Sequence, residues 1–99
     1  MAFEGLPAYI FTAQGIREGA LEQSGVYAIF TPRQWVFIGD ADNVRQALFD
    51  LLNIPHECIH SQQPLSFSWE GVSRSDCESR REALIANLQP RCNGKAPAR

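Results

Sequence analysis

Lysine is almost absent from this chain. Lys95 is the only one, and nine basic residues stand against eleven acidic ones for a formal net charge of −2. A protein that grips DNA through its phosphates concentrates Lys and Arg on one face, so this balance argues against a strong non-specific nucleic-acid binder. The arginines Arg74, Arg80, Arg81, Arg91 and Arg99 lean toward the C-terminal end and leave room for a local basic patch only. Long apolar runs are missing too: nothing approaches the roughly 18 consecutive apolar residues of a membrane helix. The opening MAFEGLPAY lacks the basic start and apolar block of a signal peptide. The expected location is therefore the cytoplasm, with no membrane partner. No Cys-x-x-Cys pair, internal repeat or low-complexity block occurs. Cys58, Cys77 and Cys92 are odd in number and lack framework spacing, which fits reduced thiols better than disulfides.

What is present suits one domain. Ninety-nine residues, 44% hydrophobic and 20% charged, suffice for a single core and not for two. Residues 8–12 alternate weakly, and residues 16–22 suit a turn or two of helix. Residues 26–31 and 35–38 are rich in β-branched and aromatic side chains and read as a hairpin broken by Pro32-Arg33-Gln34. After Gly39 the period changes. Asp40 or Asp42 is placed to cap a helix with Val44, Ala47, Leu48, Leu51 and Leu52 on its inward face, ended by Pro55. Residues 54–63 read as a loop and residues 65–72 as a strand with one buried face. Ser75 and Glu78 have capping-box spacing before a helix whose inward stripe is Cys77, Arg81, Leu84, Ile85 and Leu88 and which Pro90 stops. These elements predict an α+β fold: a small, mostly antiparallel sheet of a hairpin plus a third strand, flanked by helices. Residues 1–24 read as an N-terminal extension with a possible strand and short helix, 25–93 as the domain, and 94–99 as a flexible tail.

Three features together resemble the GIY-YIG nuclease family. Gly25-Val26-Tyr27 is similar to its first phrase, Phe37-Ile38-Gly39 to its second, and the closing EALIANLQPRCN, residues 82–93, to its last helix with a terminal asparagine. In such nucleases, the resemblance implies, the first tyrosine helps activate the attacking water. An arginine on the first helix steadies the phosphate, and a glutamate on the last helix holds one divalent metal, Mg or Mn. In-line attack on a phosphodiester builds negative charge that a metal and a cation must face, and the nucleophile needs a proton acceptor.

Carried over position by position, that machinery is depleted. Tyr27 remains, but the second tyrosine is Phe37. The arginine position falls on Ala47, and Arg45 is rotated about 200° from it around the helix. The glutamate position falls on Arg81, with Glu82 about 100° away and Glu78 assigned to the capping box; Asn93 remains. Loss of one transition-state donor typically costs on the order of 100- to 1000-fold in rate. The site thus outlined, Tyr27, Phe37, Gly39, Ala47, Arg81 and Asn93, reads as vestigial. The leading expectation is a degenerate nuclease that serves as a binding or interaction module, without cofactor, through self-association or a protein partner and with weak or no nucleic-acid binding. One alternative is a metal-dependent DNA endonuclease using Tyr27, Arg45 and Glu82, with Glu82 or Glu78 on the metal. Another is a small-domain function unrelated to nucleic acid.

Other residues carry their own alternatives. His56, Cys58 and His60 could join Cys77 or Cys92 in a zinc site, or Cys58 could pair with His56 or His60 as a nucleophile; a solvated loop is the plainer reading. Arg81 either packs its stem and pairs with Asp40, Asp42 or Glu4, or holds a phosphate or carboxylate as an anion site. Trp35, Phe37, Phe49 and Trp69 suit the core or a sheet face; Trp35 and Trp69 exposed together would mark a partner surface.

Overall fold

A computed structural model describes residues 6–54 and 56–93. The expected pairing of Arg81 with Glu4, the helix stop at Pro55 and the tail at 94–99 lie outside the described residues. The central element is β2 (Gly25–Phe30), where five of six residues are buried. Such a strand has sheet on both sides. It pairs antiparallel with β3 (Trp35–Ala41) and with β4 (Ser66–Gly71), and β1 (Tyr9–Ile10) adds to the far side of β4, giving the order β1-β4-β2-β3. The expected hairpin closes through Thr31, whose hydroxyl accepts from the backbone N–H groups of Arg33 at 3.1 Å and Gln34 at 3.2 Å. The N-terminal segment is thus part of the sheet. Its helix α1 (Ala13–Gly19) starts three residues earlier than the sequence suggests, because the Thr12 hydroxyl caps it by accepting from Gly15 N–H.

The pleat sends alternate residues to opposite faces, and each face has its own core. Tyr27, Ile29 and Phe67 meet Phe11 and Ile16 from the N-terminal segment together with Val44 and Leu48 of α2 (Val44–Asn53). Val26, Ala28 and Ile38 meet Leu84 of α4 (Cys77–Leu88) on the other face. A register shift between Ile29 and Phe30 lets Val36 and Phe37 both contribute to the first core.

Several sequence expectations change. Asn43, not Asp40 or Asp42, caps α2, accepting from Gln46 N–H at 3.0 Å; Asp40 belongs to β3 and pairs with Arg81, and Asp42 pairs with Arg74. The capping box does not form. Ser75 lies within a 3-10 turn (Arg74–Asp76) that runs into α4, and the N-cap Asp76 makes no side-chain capping bond, its carboxylate accepting from the Ser73 hydroxyl instead. The supposed loop at 54–63 contains a short helix, α3 (Glu57–His60), anchored by the fully buried Ile59. Among the described residues no helix is long and apolar enough to cross a membrane.

The cysteine expectation also needs correction: Cys58 and Cys92 form a disulfide with Cα atoms 5.9 Å apart, and only Cys77 is a free, buried thiol. The partners are 34 residues apart in sequence. They meet because residues 91–93 run along the outer edge of β3. Arg91 and Cys92 N–H groups donate to the Trp35 and Val36 carbonyls, and the Asn93 amide both accepts from Ile38 N–H at 2.7 Å and donates to Ile38 C=O at 2.9 Å. This segment satisfies an edge that would otherwise be open.

Candidate functional site

Tyr27 on β2 lies directly opposite Gly39 on β3, and the pairing explains why the second phrase ends in glycine. A Cβ at position 39 would sit 2.5 Å from the Tyr27 hydroxyl oxygen and 2.6 Å from Cζ, so only glycine lets the phenol ring cross the strand. The ring is 7% exposed. Burial, reinforced by Asp40 and Asp50 and opposed by Arg81, pushes the hydroxyl pKa up to about 12. Near neutrality it is therefore a proton donor and not a ready base.

Phe37 lies 6.3 Å from Tyr27, centroid to centroid, and His56 lies 6.0 Å from Phe37. Ala47 and Asp50 of α2, with Ile54 after it, complete the walls of a cavity of about 280 Å³ over these rings. Sequence reading finds Tyr27, Phe37, Gly39 and Ala47. It misses Asp50 and Leu51 as lining residues, although they stand three and four positions after Ala47, where a helix repeats its face. His56 enters that reading only as a metal ligand or catalytic base.

Arg81 lies on the opposite face, on α4. Its guanidinium donates from Nη1 to Asp40 Oδ1 at 3.2 Å and from Nη2 to Glu82 Oε2 at 2.8 Å. The Glu82 hydrogen bond, with Asp40 and Glu78 adding to it against partial burial, raises its pKa above an already high ordinary value. The charge is permanent, and Asp40 is one of the partners the sequence suggested.

These surroundings do not fit the divalent metal that the family resemblance implies. Asp40 and Glu82, the carboxylates bonded to Arg81, both accept from a guanidinium that would repel a cation. Among the described residues no three His, Cys, Asp or Glu side chains are grouped to hold a metal ion. The zinc and nucleophile ideas at Cys58 fail for a separate reason: its sulfur is bonded to Cys92. His60 Nδ1 instead bonds with the backbone of His56.

The remaining candidates are separated. Arg45 donates from Nε to Ala20 C=O at 2.9 Å and from Nη2 to Arg17 C=O at 3.0 Å, tying α2 to the C-terminal end of α1, where a cation suits the exposed carbonyls. Asn93 is committed to the β3 backbone. Glu78 is exposed on α4. Trp35 packs with the α4 core, whereas Trp69 packs with the α1–α2 core and donates to Gly19 C=O, so the two indoles do not form one surface.

No family model matches the sequence, and a search of curated proteins found no match. Solved structures do match. The N-terminal GIY-YIG endonuclease domain of UvrC from Thermotoga maritima, bound to magnesium as its catalytic divalent cation, is 21% identical over 77% of this chain and 92% of its own, with a TM-score of 0.63. A point mutant of that domain, also bound to its catalytic cation, is 23% identical at the same coverage and TM-score. The strand order, the paired phrases and these superpositions lead to one conclusion: the chain has the fold of a GIY-YIG endonuclease domain.

Proposed function

We propose that this chain is a catalytically silent GIY-YIG-like domain that acts as a binding or interaction module. The observation that carries this reading is the engagement of Arg81 with Asp40 and Glu82, at the position where the resemblance calls for a metal-binding glutamate. Three further features support it. Tyr27 is held protonated, Ala47 and Phe37 present no cation or hydroxyl to a phosphate, and Arg45 is occupied by the carbonyls of Ala20 and Arg17. A nuclease relying on Arg45 and Glu82 would have to break both of these networks first. An anion at Arg81 is likewise disfavoured, since Asp40, Glu82 and Glu78 all raise its pKa and oppose a further negative charge. The functional partner is then a protein or a second copy of the chain.

The test is a titration with Mg²⁺ and Mn²⁺ that follows metal binding and plasmid or branched-DNA cleavage together, with Arg81→Glu alongside. Wild type should neither bind metal saturably nor cut, and the variant should gain metal binding. Chelator-sensitive cutting by wild type would overturn the reading.

A further inference from the structure

The cavity over Tyr27 has a composition of its own. At about 280 Å³ it falls below the roughly 300–1,000 Å³ of typical small-molecule pockets and suits one long side chain. Three aromatic rings, those of Tyr27, Phe37 and His56, line it. Among the described residues its only carboxylate is Asp50, and neither lysine nor arginine contributes to the lining. Gln46 Nε2 donates to Asp50 Oδ1 at 2.9 Å, which orients the carboxylate while its second oxygen remains an acceptor. Ile54, 61% exposed, extends the apolar surface at the rim.

We propose that this cavity receives an arginine side chain from a protein partner, an inference that rests on the interaction-module reading. A guanidinium is planar, stacks on aromatic faces and meets a carboxylate in a fixed fork, whereas a lysine ammonium is a compact, strongly hydrated charge that gains less from ring faces. The aliphatic stem would lie on Leu51 and the Ala47 methyl, and the partner backbone would rest on Ile54. An anion would meet Asp50. A neutral apolar side chain would leave the carboxylate without a counter-charge. Burial is the main reason the Tyr27 hydroxyl stays protonated, with Asp40 and Asp50 adding to it and Arg81 opposing; the negative charge of Asp50 at the cavity lining favours a cation there.

The experiment titrates the ¹⁵N-labelled full chain with N-acetylarginine methylamide, with the lysine and norleucine counterparts and with methylguanidinium, following backbone amide shifts. The arginine compound should shift the amides of Phe37, Ala47, Asp50 and His56 saturably and bind at least about fivefold more tightly than norleucine, as expected for a charge pair at a partly exposed rim. Asp50→Asn, at an exposed position that should fold normally, should remove most of that preference, and Ala47→Arg should block the site from within. The proposal is overturned if norleucine binds as well as arginine, if Asp50→Asn changes nothing, or if no shift saturates. Equal binding of methylguanidinium would also overturn it, by pointing to a free cation instead of a protein side chain. Mg²⁺ added to the same sample separates this inference from the reading beneath it. Saturable shifts at Asp40, Arg81 and Glu82 would count against the silent-module reading, whereas a failure of arginine binding without metal binding removes only the proposed occupant.

Discussion

Gly39 and Asp40 are neighbours on β3, yet they serve opposite halves of the molecule. Gly39 faces a buried phenol at the floor of an open, aromatic-lined cavity; Asp40 faces a guanidinium on α4 that is 29% exposed, with its own side chain at 20%. The Tyr27 hydroxyl is neutral and shielded, whereas Arg81, Asp40 and Glu82 are charged and within reach of water. Low dielectric magnifies every change in charge or shape on the first side, while solvent damps it on the second. The stability of this fold should therefore depend on the Tyr27 half and tolerate changes at the Arg81 half.

Alkaline unfolding gives the largest expected contrast. Tyr27 titrates near 10 in an unfolded chain and at about 12 in the fold, so between those values the unfolded state has lost a proton that the native state keeps. Unfolded chains then bind fewer protons, and stability falls as pH rises. The contribution is fully present below pH 10 and fades toward pH 12. It amounts to about 2–3 kcal/mol, because a tenfold difference in proton affinity between the two states is worth about 1.4 kcal/mol. Urea unfolding at successive pH values should show that decline in wild type and lose most of it in Tyr27→Phe. An unchanged slope in the variant would mean that Tyr27 is not the group responsible.

Gly39→Ala should come next. The added methyl would meet the Tyr27 ring well inside van der Waals contact, and overpacking of this kind costs about 1–3 kcal/mol. In a double-mutant cycle, the Tyr27→Ala background should relieve most of that cost, because the clashing ring is gone. If the two substitutions instead add, the glycine is needed for its backbone and not for the ring.

The phrases and the hairpin are visible in the sequence because they depend on local chemistry: a buried apolar strand, a Thr-Pro turn and an amphipathic helix. Features decided by distant partners stay hidden. Asp40 looks like a helix cap because its partner Arg81 is 41 residues away, and Ser75 looks like half of a capping box because nothing local announces the 3-10 turn. The Cys58–Cys92 bridge depends on residues 91–93 folding back along β3, an arrangement without a periodic signature. The four residues of α3 carry a single buried anchor, Ile59, too little for a helical pattern. At the site itself, Tyr27, Phe37 and Gly39 can be read from the two phrases, but the cavity over Tyr27 requires the packing of α2 over β3.

Arg81→Gln is the smallest expected change and the sharpest check on the comparison. Removing the guanidinium breaks its bonds to Asp40 and Glu82, yet water reaches all three side chains, so the loss should stay within about 0–1 kcal/mol. Its effect should appear instead across the strand. Arg81 lowers the Tyr27 pKa; without it, the phenol should titrate higher still, and alkaline unfolding should steepen although neutral-pH stability barely moves. Tyrosinate absorbance against pH, read beside urea unfolding at neutral pH, measures both quantities. A loss of several kcal/mol at neutral pH would place Arg81 among the groups that hold the fold together, and the contrast between the two halves would collapse.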